Sequence, residues 1–137
     1  MSTEETRALA RRCFEEILGG RRTDLLDALV APDAVDGLRA QLEWLWQHVD
    51  DVGVAVDDIV AEDGRAVVFW TLTGLHRRTL WGLPPTGRRF SGRGVSTLVV
   101  QGGRVVRHRV LADRQAVIEA LAVRRPAAVA RAARRPW

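Results

Sequence analysis

Asp113 is the only acid in residues 65–118, a stretch that also holds ten Arg. A lone carboxylate there has two uses. It can take a proton from a carbon beside a carbonyl, if a substrate is held against it. It can equally cap the following segment "RQAVIEALA" by accepting from the first free N–H groups of a helix. An apolar cavity strengthens a carboxylate as a base, and neighbouring Arg works the other way. Strand alternation decides its company. Arg107, Arg109, Leu111 and Asp113 share one face of "VVRHRVLAD", and Val106, His108, Val110 and Ala112 share the other. An ideal strand brings Arg109 into a pocket with Asp113, to pair with it or to stabilise a developing enolate. A bulge near the strand end brings in His108 instead, as a proton shuttle or as a half-buried structural His. The catalytic candidates are therefore Asp113, His108 and Arg109.

Flat or apolar residues that could hold a ligand come next. Trp70 lies mid-strand beside Phe69, either as core or as a stacking wall. Trp81 lies in "WGLPPTGRR", where prolines fix φ and glycines allow tight turns, so a stiff arch presents it as a lid. Trp46, on the apolar stripe of a helix, and Phe90, just after the arch, complete the substrate-binding set. Trp44 falls off that stripe, facing either solvent, a cavity mouth or a partner. Other chemistries lack their residues. The three His and the single Cys show no metal-ligand spacing. There is no Gly-x-Ser-x-Gly, and "GRGVST" lacks the Gly-Lys and the strand-to-helix setting of a phosphate loop. Cys13 falls on an apolar helix face, as a small core residue.

The elements that must position these residues are legible in outline. Ser2 and Glu5 stand at capping-box spacing before a helix whose Ala10, Cys13, Phe14, Ile17 and Leu18 recur at helical period. Gly19-Gly20 stops it. "TDLLDALVAPD" reads as a short helix capped by Thr23 and ended by Pro32, and Asp36 as the cap of a third helix, "GLRAQLEWLWQHV". From Val52 the period changes to that of strands. "VGVAVDDIVA" and "RAVVFWTLTGLHR" flank Asp63-Gly64; "RRFSGRGVSTLVV" and "VVRHRVLAD" flank Gly102-Gly103. Three helices, an antiparallel meander and a closing helix make an α+β domain.

Composition bounds the rest. The 137 residues, 47% of them apolar, suit one domain over residues 1–122, with an Arg/Ala/Pro-rich tail over 123–137 that reads as disordered. The net charge of +4 hides an asymmetry: residues 1–64 carry 15 acids and six Arg, whereas residues 65–137 carry two acids and 15 Arg. An acidic half beside a basic half explains this without nucleic acid, since no basic stripe is interleaved with aromatics. No apolar run approaches the ~18 residues of a membrane span, and "MSTEE" is not a secretory leader, so a cytoplasmic protein is expected.

The residues also resemble a family. "GLHRRTLWGLPPTGRRFSGRGVSTLVVQGGRVVRHRVLAD" is similar to the closing half of SnoaL-like polyketide cyclases, in the NTF2-like superfamily, with Gly74, His76, Gly82, Pro84, Pro85, Thr86, Gly87, Arg88 and Asp113 in matching places. The resemblance runs over roughly residues 5–121. It implies a cone of helices packed on a curved antiparallel sheet, open at one end to a small apolar polycyclic or polyketide-like ligand, and a homodimer through the outer sheet face. It implies intramolecular aldol ring closure with no metal or cofactor, Asp113 as acid or base, and His76 as a pocket residue. The sequence departs from the pattern in three places. "APDAVDGLR" is short and lacks a His, Arg107 and Arg109 replace the usual Glu and Trp, and Val99 stands where many members carry Arg. These departures leave open a related isomerase, dehydratase or epoxide-opening enzyme, or a non-catalytic binding protein.

Overall fold

The computed structural model describes residues 2–122. The expected tail over 123–137 lies outside the described residues. Helix α1 (Thr3–Arg12) starts as its sequence dictates: Ser2 Oγ accepts from Glu5 N at 3.1 Å and donates to Glu5 Oε1 at 3.0 Å. It continues into a π-helical segment, Cys13–Gly19, which turns Phe14 and Ile17 into the interior. A 3₁₀ turn over Thr23–Leu25 leads into α2 (Leu26–Leu29).

Helix α3 (Pro32–His48) begins four residues before the expected Asp36 cap. Pro32, expected to end the preceding helix, instead opens this one. At a first helical position the missing N–H costs nothing and the fixed φ is already helical, so proline starts the helix with no side-chain cap.

The sheet has four strands: β1 (Asp50–Glu62), β2 (Arg65–Leu75), β3 (Arg89–Gln101) and β4 (Arg104–Ala112), in the order β1-β2-β3-β4, all antiparallel. Gly102 and Gly103 both take positive φ, +60° and +77°, as the two-residue β3–β4 turn requires. The register shifts at Asp57 in β1 and at Val106 in β4, and such bulges bend a sheet. The concave face carries Ala66, Val68, Trp70, Leu72, Ser96 and Leu98, and α1, α2 and α3 pack into it. Helix α4 (Arg114–Ala122) lies against β3 with Val117 and Leu121 buried, beside Leu80 of the arch.

The charge asymmetry is partly satisfied inside the fold. Arg78 meets Asp50 at 3.0 Å and Arg89 meets Asp51 at 2.5 Å, each joining the basic half to the acidic one. Among the described residues no helix is long and apolar enough to cross a membrane.

Candidate functional site

Between α3, the π-helical segment, the concave sheet and the start of α4 lies a cavity of about 230 Å³. Its wall is almost wholly apolar. Phe14 and Leu18 come from the first helix, Leu42, Trp44 and Leu45 from α3, Trp70, Leu72, Phe90 and Val110 from the sheet, and Trp81 from the arch. The polar side chains are few: Gln41, Ser96, Arg93, Asp113 and Arg114.

Trp70 is fixed by two neighbours. Its cross-strand partner is Gly94, and a Cβ there would stand 2.1 Å from Trp70 Cζ2. The missing side chain lets the indole lie flat against β3. In that pose Nε1 donates to Ser96 Oγ at 3.0 Å.

Trp81 belongs to a tight turn closed by Leu80 N to Leu83 O (3.1 Å) and Leu83 N to Leu80 O (2.9 Å). Trp81 and Gly82 have φ of +47° and +80°. A left-handed backbone at tryptophan costs about 1–2 kcal/mol, offset here by contacts of the ring. Trp81 stacks on Trp44 with centroids 6.3 Å apart, and the Arg114 guanidinium lies 5.0 Å from its ring centre. Trp44 in turn stacks on His48 at 4.6 Å.

Asp113 lies one residue past the end of β4. Its N–H donates to Arg93 O at 2.9 Å, prolonging the ladder by one bond, and its Oδ1 accepts from Ala116 N at 3.1 Å, capping α4. Oδ2 has no partner among the described residues, and the residue lines the cavity mouth. The capping use read from the sequence is thus realised, on a side chain that also lines the cavity.

The other candidates separate. Arg109 does not accompany Asp113: β4 ends before Asp113, and the alternation leaves Arg107 and Arg109 exposed on the face away from the cavity. His108 does face inward, but into a smaller chamber of about 50 Å³, lined also by Cys13, Phe14 and Leu98, deeper than Asp113. Its Nε2 has no partner among the described residues, and burial pushes the imidazole below its ordinary pKa. Burial likewise pushes the Cys13 thiol up to about 11, as befits a packing residue.

His76 is 1% exposed and does not line the cavity. It fastens the arch instead: Nδ1 lies 2.9 Å from Thr86 Oγ1, His76 N donates to Arg88 O at 2.9 Å, and Gly87 N donates to His76 O at 2.7 Å. Trp46 packs against the main core with the Arg21 guanidinium 4.6 Å from its ring, also away from the cavity. Trp70, Trp81 and Phe90 do line it. Trp44 resolves to the cavity mouth. Ser96, Gln41 and Arg114 were not singled out from sequence; a polar Ser96 at an inward position of a β-branched strand is the one signal that was there to be read.

The sequence profile of the SnoaL-like polyketide cyclases matches residues 8–121. The chain belongs to this family. Solved structures agree on the fold. TsrD from Streptomyces laurentii is 22% identical with a TM-score of 0.77, over 88% of this chain and 97% of that one. IdmH from Streptomyces antibioticus is 22% identical with a TM-score of 0.76, over 90% and 100%. AclR from Streptomyces galilaeus, named as a candidate hydroxylase, is 22% identical with a TM-score of 0.78, over 96% and 95%. No significant match was found among curated proteins. As in other SnoaL-like, NTF2-like chains, helices and a curved sheet enclose a cone, and the apolar cavity is the hollow of that cone. Among the described residues no group of three His, Cys, Asp or Glu is placed to hold a metal.

Proposed function

We propose that this chain is a cofactor-independent cyclase that closes a ring in a polyketide-type or related polycyclic intermediate by acid/base catalysis. The observation that carries it is Asp113: a carboxylate with one oxygen engaged and the other free, at the mouth of an apolar, Trp-lined cavity. Ala116 N–H holds Oδ1 and thereby aims Oδ2. Oδ2 takes a proton from a carbon flanked by carbonyls, the resulting enolate carbon attacks a second carbonyl of the same molecule, and the new alkoxide recovers the proton from Asp113. One C–C bond forms, one C=O π bond opens, and the proton returns, so no oxidant or reductant enters the balance. Trp70, Trp81 and Phe90 hold the flat, growing ring system and exclude water. His108, one chamber deeper, stays neutral and serves as a hydrogen-bonding end wall.

The reading carries with it a cytoplasmic location and a homodimer. Phe69, Val95 and Leu111 form a cross-strand row on the convex face, where Leu111 is 77% exposed and nearby Val60 57%. A second copy of the chain, packed sheet to sheet, would cover them.

A second reading, a binding protein without turnover, is favoured by the cap that Asp113 makes and by the distance of His108 from it. Asp113→Asn separates the two. Asn caps a helix as well as Asp, so the fold stays intact while the proton acceptor is lost. Aromatic β-keto esters bearing an ortho-acyl group, with the isomeric ring-closed product resolved by liquid chromatography, should cyclise with wild type, and the rate should fall by about 10²-fold or more with the variant. Equal turnover by both proteins would overturn the assignment of Asp113.

A further inference from the structure

We infer that Ser96 is a specificity-determining residue of this cavity: its hydroxyl donates to an acceptor oxygen, a carbonyl or ether, on the buried end of the ligand. The inference rests on the cavity being the ligand site, but not on Asp113 acting as a base.

Ser96 is 1% exposed and lines the cavity from the middle of β3. Its oxygen already accepts the Trp70 indole N–H at 3.0 Å. A serine hydroxyl has one proton to give, and no acceptor among the described residues takes it. The indole N–H excludes that proton from the side facing Trp70. Trp70 cannot rotate away, because the ring is pressed onto the bare Cα of Gly94. With that side occupied, the O–H is free to turn to the cavity that Ser96 lines. Ser96 sits between Val68 and Val110 on the neighbouring strands. Among the described residues no other hydroxyl lines the cavity; the remaining polar lining residues are Gln41, Arg93, Asp113 and Arg114. A buried donor without a partner costs free energy until something accepts from it. A ligand oxygen relieves that cost; a hydrocarbon in its place does not.

The position also sets a length. Asp113 N bonds to Arg93 O, so Asp113 stands level with Arg93, three residues along β3 from Ser96. At strand rise that is about 10 Å, the span of a fused tricycle. The chemistry recognised is a flat polycycle of about three fused rings carrying an acceptor oxygen on its buried edge.

Fluorene and 9-fluorenone test this, being rigid tricycles of one skeleton without and with a carbonyl. Binding is read by quenching of tryptophan fluorescence, which no tyrosine contaminates because the chain has five Trp and no Tyr. The quantity compared is the ratio of the two affinities in each protein, which cancels their different hydrophobicities. Ser96→Ala should lower the preference for fluorenone by about fivefold, with fluorene affinity nearly unchanged, and Ser96→Thr should retain most of the preference. If Ser96→Ala does not fold, Ser96→Cys fills the same space with a weak donor and should show the same loss. An unchanged ratio in folded Ser96→Ala or Ser96→Cys overturns the role of Ser96 while leaving the cavity as a ligand site. Failure of both tricycles to bind wild type overturns the ligand site itself, and the Ser96 inference with it.

Discussion

Gly94→Ala is the sharpest probe of how the site is built. The added Cβ would meet Trp70 Cζ2 at 2.1 Å and Cη2 at 2.2 Å. Carbon atoms pack at about 3.5–4.0 Å, so the indole must retreat by about 1.5 Å. It cannot retreat into β3, so it moves into the cavity and gives up its bond to Ser96. The lost buried hydrogen bond costs about 1 kcal/mol, and forcing a large ring off its packed position about 1–3 kcal/mol. Removing a glycine from the unfolded chain returns about 0.5 kcal/mol. The net expectation is a destabilisation of about 1.5–3.5 kcal/mol, measured by urea denaturation monitored by circular dichroism. The cost belongs to one contact, so it must vanish when that contact is removed. In a Trp70→Leu background, Gly94→Ala should be neutral or slightly stabilising. An equal cost in both backgrounds would refute the flat-lying indole and, with it, the orientation assigned to the Ser96 hydroxyl.

Two further outcomes are expected. The folded state holds His108 below its ordinary pKa, so between that depressed value and the unfolded one the unfolded chain binds the proton that the folded chain refuses. Its contribution is present above about pH 6.5 and is lost as pH falls through the folded pKa; His108→Gln should flatten the fall in urea midpoint between neutral and mildly acidic pH, and an unchanged slope would show that His108 does not contribute to it. Leu111→Arg, on the convex face, should shift sedimentation from dimer to monomer while leaving circular dichroism unchanged; a wild-type protein that is already monomeric at tens of micromolar would remove the sheet-to-sheet dimer.

The sequence revealed most where local chemistry acts alone. Ser2 and Glu5, Asp63-Gly64 and Gly102-Gly103 specify their caps and turns within a few residues, and each stands where its own residues put it. Pro32 was ambiguous because the same ring that ends one helix opens the next, and only the packing of α3 on the sheet decides which. The site was half legible. Trp70, Trp81 and Phe90 could be placed by strand alternation and by the arch, and Asp113 by its place in the family pattern, but Arg109 could not. Its face depends on whether Asp113 is counted as the last residue of a strand or the first beyond it, a difference of one residue that reverses every side chain. His76 and Trp46 carry functional groups as suggestive as any in the chain. What they do is set by neighbours distant in sequence, Thr86 and Arg21.

The fastening of the arch separates two inheritances. His76, Gly87 and Arg88 close its neck with two backbone bonds, while Leu80 anchors the span beside α4 and Arg78 pairs it with Asp50 of β1. The stretch those anchors leave open to change is Pro84-Pro85, both exposed. Doubling the length of such a loop costs only about 0.6 kcal/mol in closure entropy. A lineage or a designer can retailor which molecules enter by lengthening the arch at that point, with the cone of helices and strands left as it is.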